Sequence, residues 1–161
     1  QNIKHTNDTT AMTIASSGRL DYPAQPRFMV KLTSNVGIAD GNDNDWSTTT
    51  ASWTEKFDVG GCFSGGLFTS PVAGVYHITF QLYANPSAGA YVGASMNGTA
   101  IDDNFGVNDL WHFQAGGNDT GFSHNVLVDV AAGKTIRFGT YGNGTSTARH
   151  DGTFIFGYKV A

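Results

Sequence analysis

The densest set of metal-competent side chains is the acidic run 40–45, where Asp40, Asn42, Asp43 and Asp45 bring carboxylate and amide oxygens together. Calcium takes about six to eight oxygen ligands from a flexible loop, so this run is the candidate calcium site. It departs from the EF-hand loop at two positions. The sixth is Asp45 instead of Gly, and the twelfth is Ala51 instead of a bidentate Glu. The competing reading is a solvated polar loop between strands. Asp102 and Asp103 form a second acidic pair with the same two readings.

Catalytic chemistry finds little support. The histidines are His5, His77, His112, His124 and His150, and no two of them have the i, i+4 spacing of a helical zinc site. Cys62 is the only cysteine, which leaves no thiolate partner for a metal and no internal disulfide. Absence of disulfide stapling fits assembly in a reducing compartment. Ser64 and Ser123 lie among glycines, but neither sits in the G-x-S-x-G turn of a nucleophilic serine. No phosphate-cradling P-loop and no G-x-G-x-x-G dinucleotide turn occurs. The expectation is a protein without enzymatic activity and without an organic cofactor.

Recognition chemistry is better represented. Trp46, Trp53, Trp111 and His112 fall in polar segments between strand candidates. Aromatic side chains on loops stack on sugar rings or anchor protein contacts, so these four are the candidate receptor-binding residues. The alternative is that they cap the ends of the core. Asn7, Asn97, Asn118 and Asn143 each open an N-x-Thr sequon and are read here as turn residues.

Composition limits the remaining classes. The chain has 161 residues, of which 14% are charged and 40% hydrophobic, with 21 glycines and 4 prolines. That is too little charge for a coiled coil and too much apolar surface for a disordered tail. The net charge of −4 provides no basic field for phosphates, so nucleic acid is not an expected partner. No apolar run approaches the roughly 18 residues of a membrane-spanning helix, and membrane insertion is not expected. The chain begins at Gln1 with no signal-like apolar run, which suggests a mature product or a piece of something longer.

What must position these side chains is a set of strands. Phe28, Val30 and Leu32 alternate with Met29 and Lys31, and Tyr76, Ile78, Phe80 and Leu82 alternate with His77, Thr79 and Gln81. Val126, Val128 and Val130 alternate with Leu127 and Asp129, and Phe154, Phe156 and Tyr158 alternate with Ile155 and Gly157. Successive side chains on a strand point to opposite faces, so each run offers one core face. Stretches 91–96 and 136–141 are shorter candidates. Asn97-Gly98, Ala132-Gly133 and Asn143-Gly144 supply turn chemistry between strands. No stretch has the 3.6-residue period of a helix. The expectation is an all-β, two-sheet antiparallel sandwich of about ten short strands. Its core should hold Phe28, Val30, Tyr76, Ile78, Phe80, Val126, Val128, Phe154, Phe156 and Tyr158. Residues 1–26, closed by Pro23 and Pro26, read as a connector or leader ahead of a 27–161 domain.

Residues 65–80 resemble the signature of the complement C1q globular-head family. Phe68, Gly74, Tyr76 and Phe80 fit its pattern, with Ile78 in place of the middle aromatic. Residues 92–98, 126–134 and 153–158 resemble further family strands in the same order, with Lys134 where Asp is usual, and residues 46–66 depart from the pattern. The resemblance covers 27–161 and implies a C1q/tumour-necrosis-factor-like jelly roll. Residues 11–28 resemble the connector ahead of the terminal domain in bacteriophage tail-fibre and other virion proteins.

Together the two resemblances imply a non-enzymatic homotrimer at the tip of a tail fibre, bound to a host cell-surface glycan or protein. Its location would be the virion, assembled in the host cytoplasm. The alternative is an extracellular, secreted C1q-like lectin or defence recognition protein. Apolar or uncharged residues on the expected outer faces of the core strands are His77, Thr79, Leu127, Ile155 and Gly157. Proteins of the resembling family pack three protomers with this sheet inwards, which places those five residues at a three-fold axis.

Overall fold

The runs of alternating apolar residues form strands at Arg27–Leu32, Gly74–Pro86, Thr120–Val130 and Phe154–Lys159. The computed structural model describes residues 2–4, 10–18, 20–21, 25–38, 43–48, 51–87, 91–98, 109–116, 119–143 and 145–160. These contain sixteen strands and no α-helix. The surplus over about ten comes from short strands of two to five residues.

The first three strands form their own antiparallel sheet: β1 (Asn2–Lys4), β2 (Thr10–Ile14) and β3 (Leu20–Asp21). The chain reverses after β2 with the Gly18 amide donating to the Ala15 carbonyl at 2.9 Å. Gly18 has φ +80, a conformation that suits a residue without a β-carbon. The polar start of the chain thus contributes a strand where the sequence showed no periodicity.

The remaining strands make two sheets. The larger holds β4 (Arg27–Leu32), β5 (Val36–Ile38), β7 (Trp53–Val59), β10 (Gly74–Pro86), β13 (Thr120–Val130), β15 (Ser146–Ala148) and β16 (Phe154–Lys159). The smaller holds β6 (Asp43–Asp45), β8 (Phe63–Ser64), β9 (Leu67–Thr69), β11 (Tyr91–Gly98), β12 (Asp109–Gly116) and β14 (Thr135–Asn143). All strand pairings are antiparallel. β10 is the spine: β13 pairs along one side of it, while β16 and then β15 pair along the other.

The core lies between these sheets. Phe28 stacks on Phe63 and Phe68 at 5.3 and 5.4 Å, and Phe80 meets Phe138 edge-on at 5.7 Å. Phe28, Val30, Tyr76, Ile78 and Phe80 are buried as their alternation predicts, and Val126 and Val128 are partly buried against them. Full burial of such a side chain stabilises by about 1.5–3 kcal/mol. β8 and β9 are joined by Gly65 and Gly66 at φ +54 and +82, the two positive values that a two-residue type I′ hairpin requires.

On β16 the expected faces are reversed. Ile155 is 0% exposed, opposite Val30 on β4 and Phe80 on β10, all three in the core. Gly157 is also buried on that face, beside Phe28 and Ile78. Phe154 and Phe156 are half-buried and Tyr158 is 42% exposed on the outer face. Side-chain size misleads here, because both faces of β16 are apolar and the interior is already filled by Phe28, so that only glycine fits at 157. Asn97-Gly98 is also corrected: it lies within β11, opposite Arg137 and Ile136. Ala132-Gly133 is a turn as expected, with the Lys134 amide donating to the Ala131 carbonyl at 3.2 Å.

Candidate functional site

The outer face of the larger sheet carries exposed apolar side chains among polar ones. Across one row, His77 on β10 stands between Leu127 on β13 and Tyr158 on β16. Across the next, Thr79 stands between Asn125 and Phe156, and Met29 and Phe57 extend that row onto β4 and β7. Leu127 is 68% exposed and Phe57 44%. The His77 ring packs 5.1 Å from Tyr158 and 6.0 Å from Phe156, and Phe154 stacks on Phe156 at 6.2 Å. Exposed apolar side chains thus sit among the polar ones of this face.

Two polar groups sit inside this patch. Thr79 is buried and donates its hydroxyl to Asn125 Oδ1. His77 Nδ1 is buried and has no hydrogen-bond partner among the described residues. Leaving such a group unsatisfied costs about 1–3 kcal/mol. An acceptor or donor from outside the chain would remove that cost.

The two ends of the sheet differ. At one end, β7 carries Glu55, Lys56 and Asp58, charges that discourage further strand pairing. At the other, β13 pairs with β10 alone among the described strands, and Asp129 is its one carboxylate. His124 on β13 is half-buried, and burial lowers its pKa, so it is biased toward the neutral form. A long, nearly uncharged edge therefore adjoins the apolar face.

Of the five residues expected at an interface, the structure brings His77, Thr79 and Leu127 together on this face. It places Ile155 and Gly157 on the opposite face, in the core. The residues that the sequence reading missed are Phe156, Tyr158, Met29 and Phe57. The signal that would have found them is the bulky apolar content of both faces of β16.

The tryptophan candidates have other duties. Trp46 is 0% exposed, donates Nε1–H to Thr140 Oγ1 at 3.2 Å and meets Phe80 edge-on at 5.2 Å. Trp53 lies on β7, half-buried, 5.3 Å from Trp46 and 5.7 Å from Phe63. Trp46 is therefore a core residue and not a receptor contact, while Trp53 packs partly buried against the core. Trp111 and His112 lie on strand β12, not on a loop, and their side chains fall outside the described residues.

In the acidic run, Asp45 is committed elsewhere. Its Oδ2 pairs with Arg137 Nη1 at 2.9 Å and its Oδ1 accepts from the Ser47 amide at 2.8 Å. In this structure it is a turn and ion-pair residue. Asp40 and Asn42 lie outside the described residues, as do the Asp43 side chain and the Asp102-Asp103 pair. Among the described residues no cluster of three or more His, Cys, Asp or Glu is arranged to hold a metal.

Solved structures share this arrangement of strands. Murine APRIL superposes with a TM-score of 0.62 at 12% identity, covering 84% of this chain and 99% of that one. The fold is the TNF/C1q-type jelly roll. Eiger TNF from S. frugiperda gives a TM-score of 0.61 at 16% identity over 86% of this chain and 94% of its own. The globular domain of zebrafish complement 1qA gives 0.56 at 14% identity over 85% and 98%. No protein-family model matches the chain, and no curated protein matches it by sequence. The TNF/C1q-type jelly roll is therefore recognised through its strand order and sheet packing, at identities where the fold alone is shared.

Proposed function

We propose that this chain is a non-enzymatic, homotrimeric recognition head at the tip of a virion fibre, which binds a receptor on the host cell surface. The observation that carries the proposal is the outer face of Leu127, His77, Tyr158, Phe156, Met29 and Phe57. It exposes Leu127, Phe57 and Tyr158, and it holds a buried imidazole nitrogen that lacks a partner among the described residues. The nearly uncharged edge of β13 supplies a complement. Edge of one copy against face of the next is a heterologous contact, and such contacts close into rings when the rotation allows. Three copies is the number that the C1q-like resemblance implies. Three linked copies raise the strength of weak receptor contacts without new chemistry at each site.

The virion setting rests on the resemblance of residues 11–28 to fibre connectors. A second reading, an extracellular C1q-like lectin or defence recognition protein, is favoured by the likeness to APRIL and complement 1qA. Light scattering coupled to size exclusion is expected to give three times the 17.1 kDa chain mass. Leu127→Asp is expected to give folded monomer, because the contact would bury a carboxylate without a partner. A wild-type monomer at micromolar concentration would remove the assembly from this reading. Adhesion of the wild-type protein to host cells tests the recognition role. Intact mass of native material separates the two settings, since glycan on the sequons favours the secreted one.

A further inference from the structure

The outer face of the larger sheet turns from apolar to polar toward the end where β10 finishes. Asn85 on β10, Thr147 on β15 and Gly37 on β5 stand side by side in the register. Their neighbours two residues along, Ser87, Thr145, Arg149 and Asn35, point the same way. Asn35, Asn85, Ser87, Thr145, Thr147 and Arg149 line an open cleft of about 370 Å³. That volume falls in the range of small-ligand sites, which run from about 300 to 1,000 Å³.

The cleft is set up to exchange hydrogen bonds. Asn35 Oδ1 is held by the His150 amide at 3.0 Å and ring nitrogen at 2.8 Å, so its NH₂ is left to donate. Arg149 is fixed by Asp151, with Nε and Nη2 at 3.3 and 2.9 Å, and by Asp119 at 3.2 Å. Its guanidinium lies 5.1 Å from the Tyr83 ring centroid. Three of its five N–H groups are used, leaving one on each terminal nitrogen. Among the described residues the Asn85, Ser87, Thr145 and Thr147 side chains have no hydrogen-bond partner, and they can both donate and accept. Gly37, paired with the lining residue Thr147, has open space above it: a β-carbon there would meet nothing within 4 Å.

Charge narrows the ligand. Two carboxylates surround one guanidinium, which disfavours an anion. Amides and hydroxyls that donate and accept suit a ligand rich in neutral hydroxyls. The position fits as well. Pro26 accepts from the Lys159 amide, and Lys159 is paired with Tyr76, so the chain enters the domain near the start of β10. Asn85 lies nine residues further along β10, about 30 Å away at strand rise. We propose that this cleft binds an uncharged saccharide at the end of the domain remote from the connector. This rests on the reading of the chain as a recognition head and names the ligand class for it.

The test is an array of neutral and acidic glycans probed with the whole chain as wild type, Gly37→Trp and Asn85→Ala. Wild type is expected to retain neutral glycans, and both variants to lose about tenfold or more in apparent affinity. Melting temperatures are expected to stay at the wild-type value, since both positions are exposed. Capture of acidic glycans only, capture of none, or neutral-glycan binding that survives Gly37→Trp overturns the proposal. Host-cell adhesion assayed in parallel keeps the two readings apart. Adhesion unchanged in both variants overturns the cleft and leaves the recognition head standing. Loss of adhesion in wild type counts against the head itself.

Discussion

Gly157 lies directly against the Phe28 ring: a β-carbon on Gly157 would come within 2.8 Å of Phe28 Cε1, 3.1 Å of the His77 carbonyl oxygen and 3.2 Å of Ile78 Cγ1. Phe28 cannot retreat, since Phe63 and Phe68 stack on it from the smaller sheet. Steric exclusion alone selects glycine at this position. Gly157→Ala is expected to lower stability by about 1–3 kcal/mol through overpacking. Urea unfolding followed by circular dichroism measures this, and an unchanged midpoint would show that the core yields at no cost.

Ile155 and Leu127 make a contrasting pair for aspartate substitution. Ile155 is completely enclosed, so Ile155→Asp would bury a carboxylate without a partner, among the most destabilising changes available to a core. The variant is expected to be insoluble or to lack the wild-type β-sheet spectrum. Leu127→Asp is expected to keep that spectrum and lose only self-association. A folded, self-associated Ile155→Asp protein would contradict the register of β16 against β4 and β10.

The same strand shows what could be read from sequence and what could not. On β4, β10 and β13 one face is apolar and the other largely polar, so alternation names the core side. On β16 both faces are apolar, and alternation cannot choose. Only the register does so, by setting Ile155 opposite Val30 and Phe80. The trimer candidates split accordingly. His77, Thr79 and Leu127 came from strands with a clear polar face, whereas Ile155 and Gly157 came from the ambiguous one. Trp46 was misplaced for another reason. Its flanking residues are polar, but a turn folds its ring back over the core, and flanking polarity carries no information about that. The cleft at Asn85 and Thr147 was invisible because its residues come from segments far apart in the chain.

Asp45 bears on the calcium reading of the acidic run. Asp45→Ala removes a carboxylate from Arg137 and an acceptor from the Ser47 amide, and should cost about 1–3 kcal/mol. The fall in melting temperature is expected to be the same with and without calcium. A ligand that binds the folded state raises the melting temperature by mass action. A calcium-dependent rise in wild type that Asp45→Ala abolishes would return Asp45 to a metal site.

Cys62 offers a pH-dependent test of the core. Its side chain is 1% exposed and its Sγ donates to the Val59 carbonyl at 3.2 Å. Asp58 lies beside it, accepting from the Cys62 and Phe63 amides at 2.7 and 3.0 Å. Burial first, and then the Asp58 charge, push the thiol from its ordinary 9.0 up to about 12. Below the lower value both the folded and the unfolded thiol hold their proton, and Cys62 contributes no pH dependence. Between the two values the unfolded thiol has lost its proton while the folded one keeps it. The unfolded state then binds fewer protons, so stability falls as pH rises through that window. Cys62→Ala should flatten this fall, measured as the shift in urea midpoint between neutral and alkaline buffer. The native thiol should also resist iodoacetamide at about pH 8, because the thiolate is the reactive species. Alkylation of the native protein as fast as of an exposed thiol, or an identical alkaline loss in Cys62→Ala, would show that Cys62 is not enclosed beside Asp58.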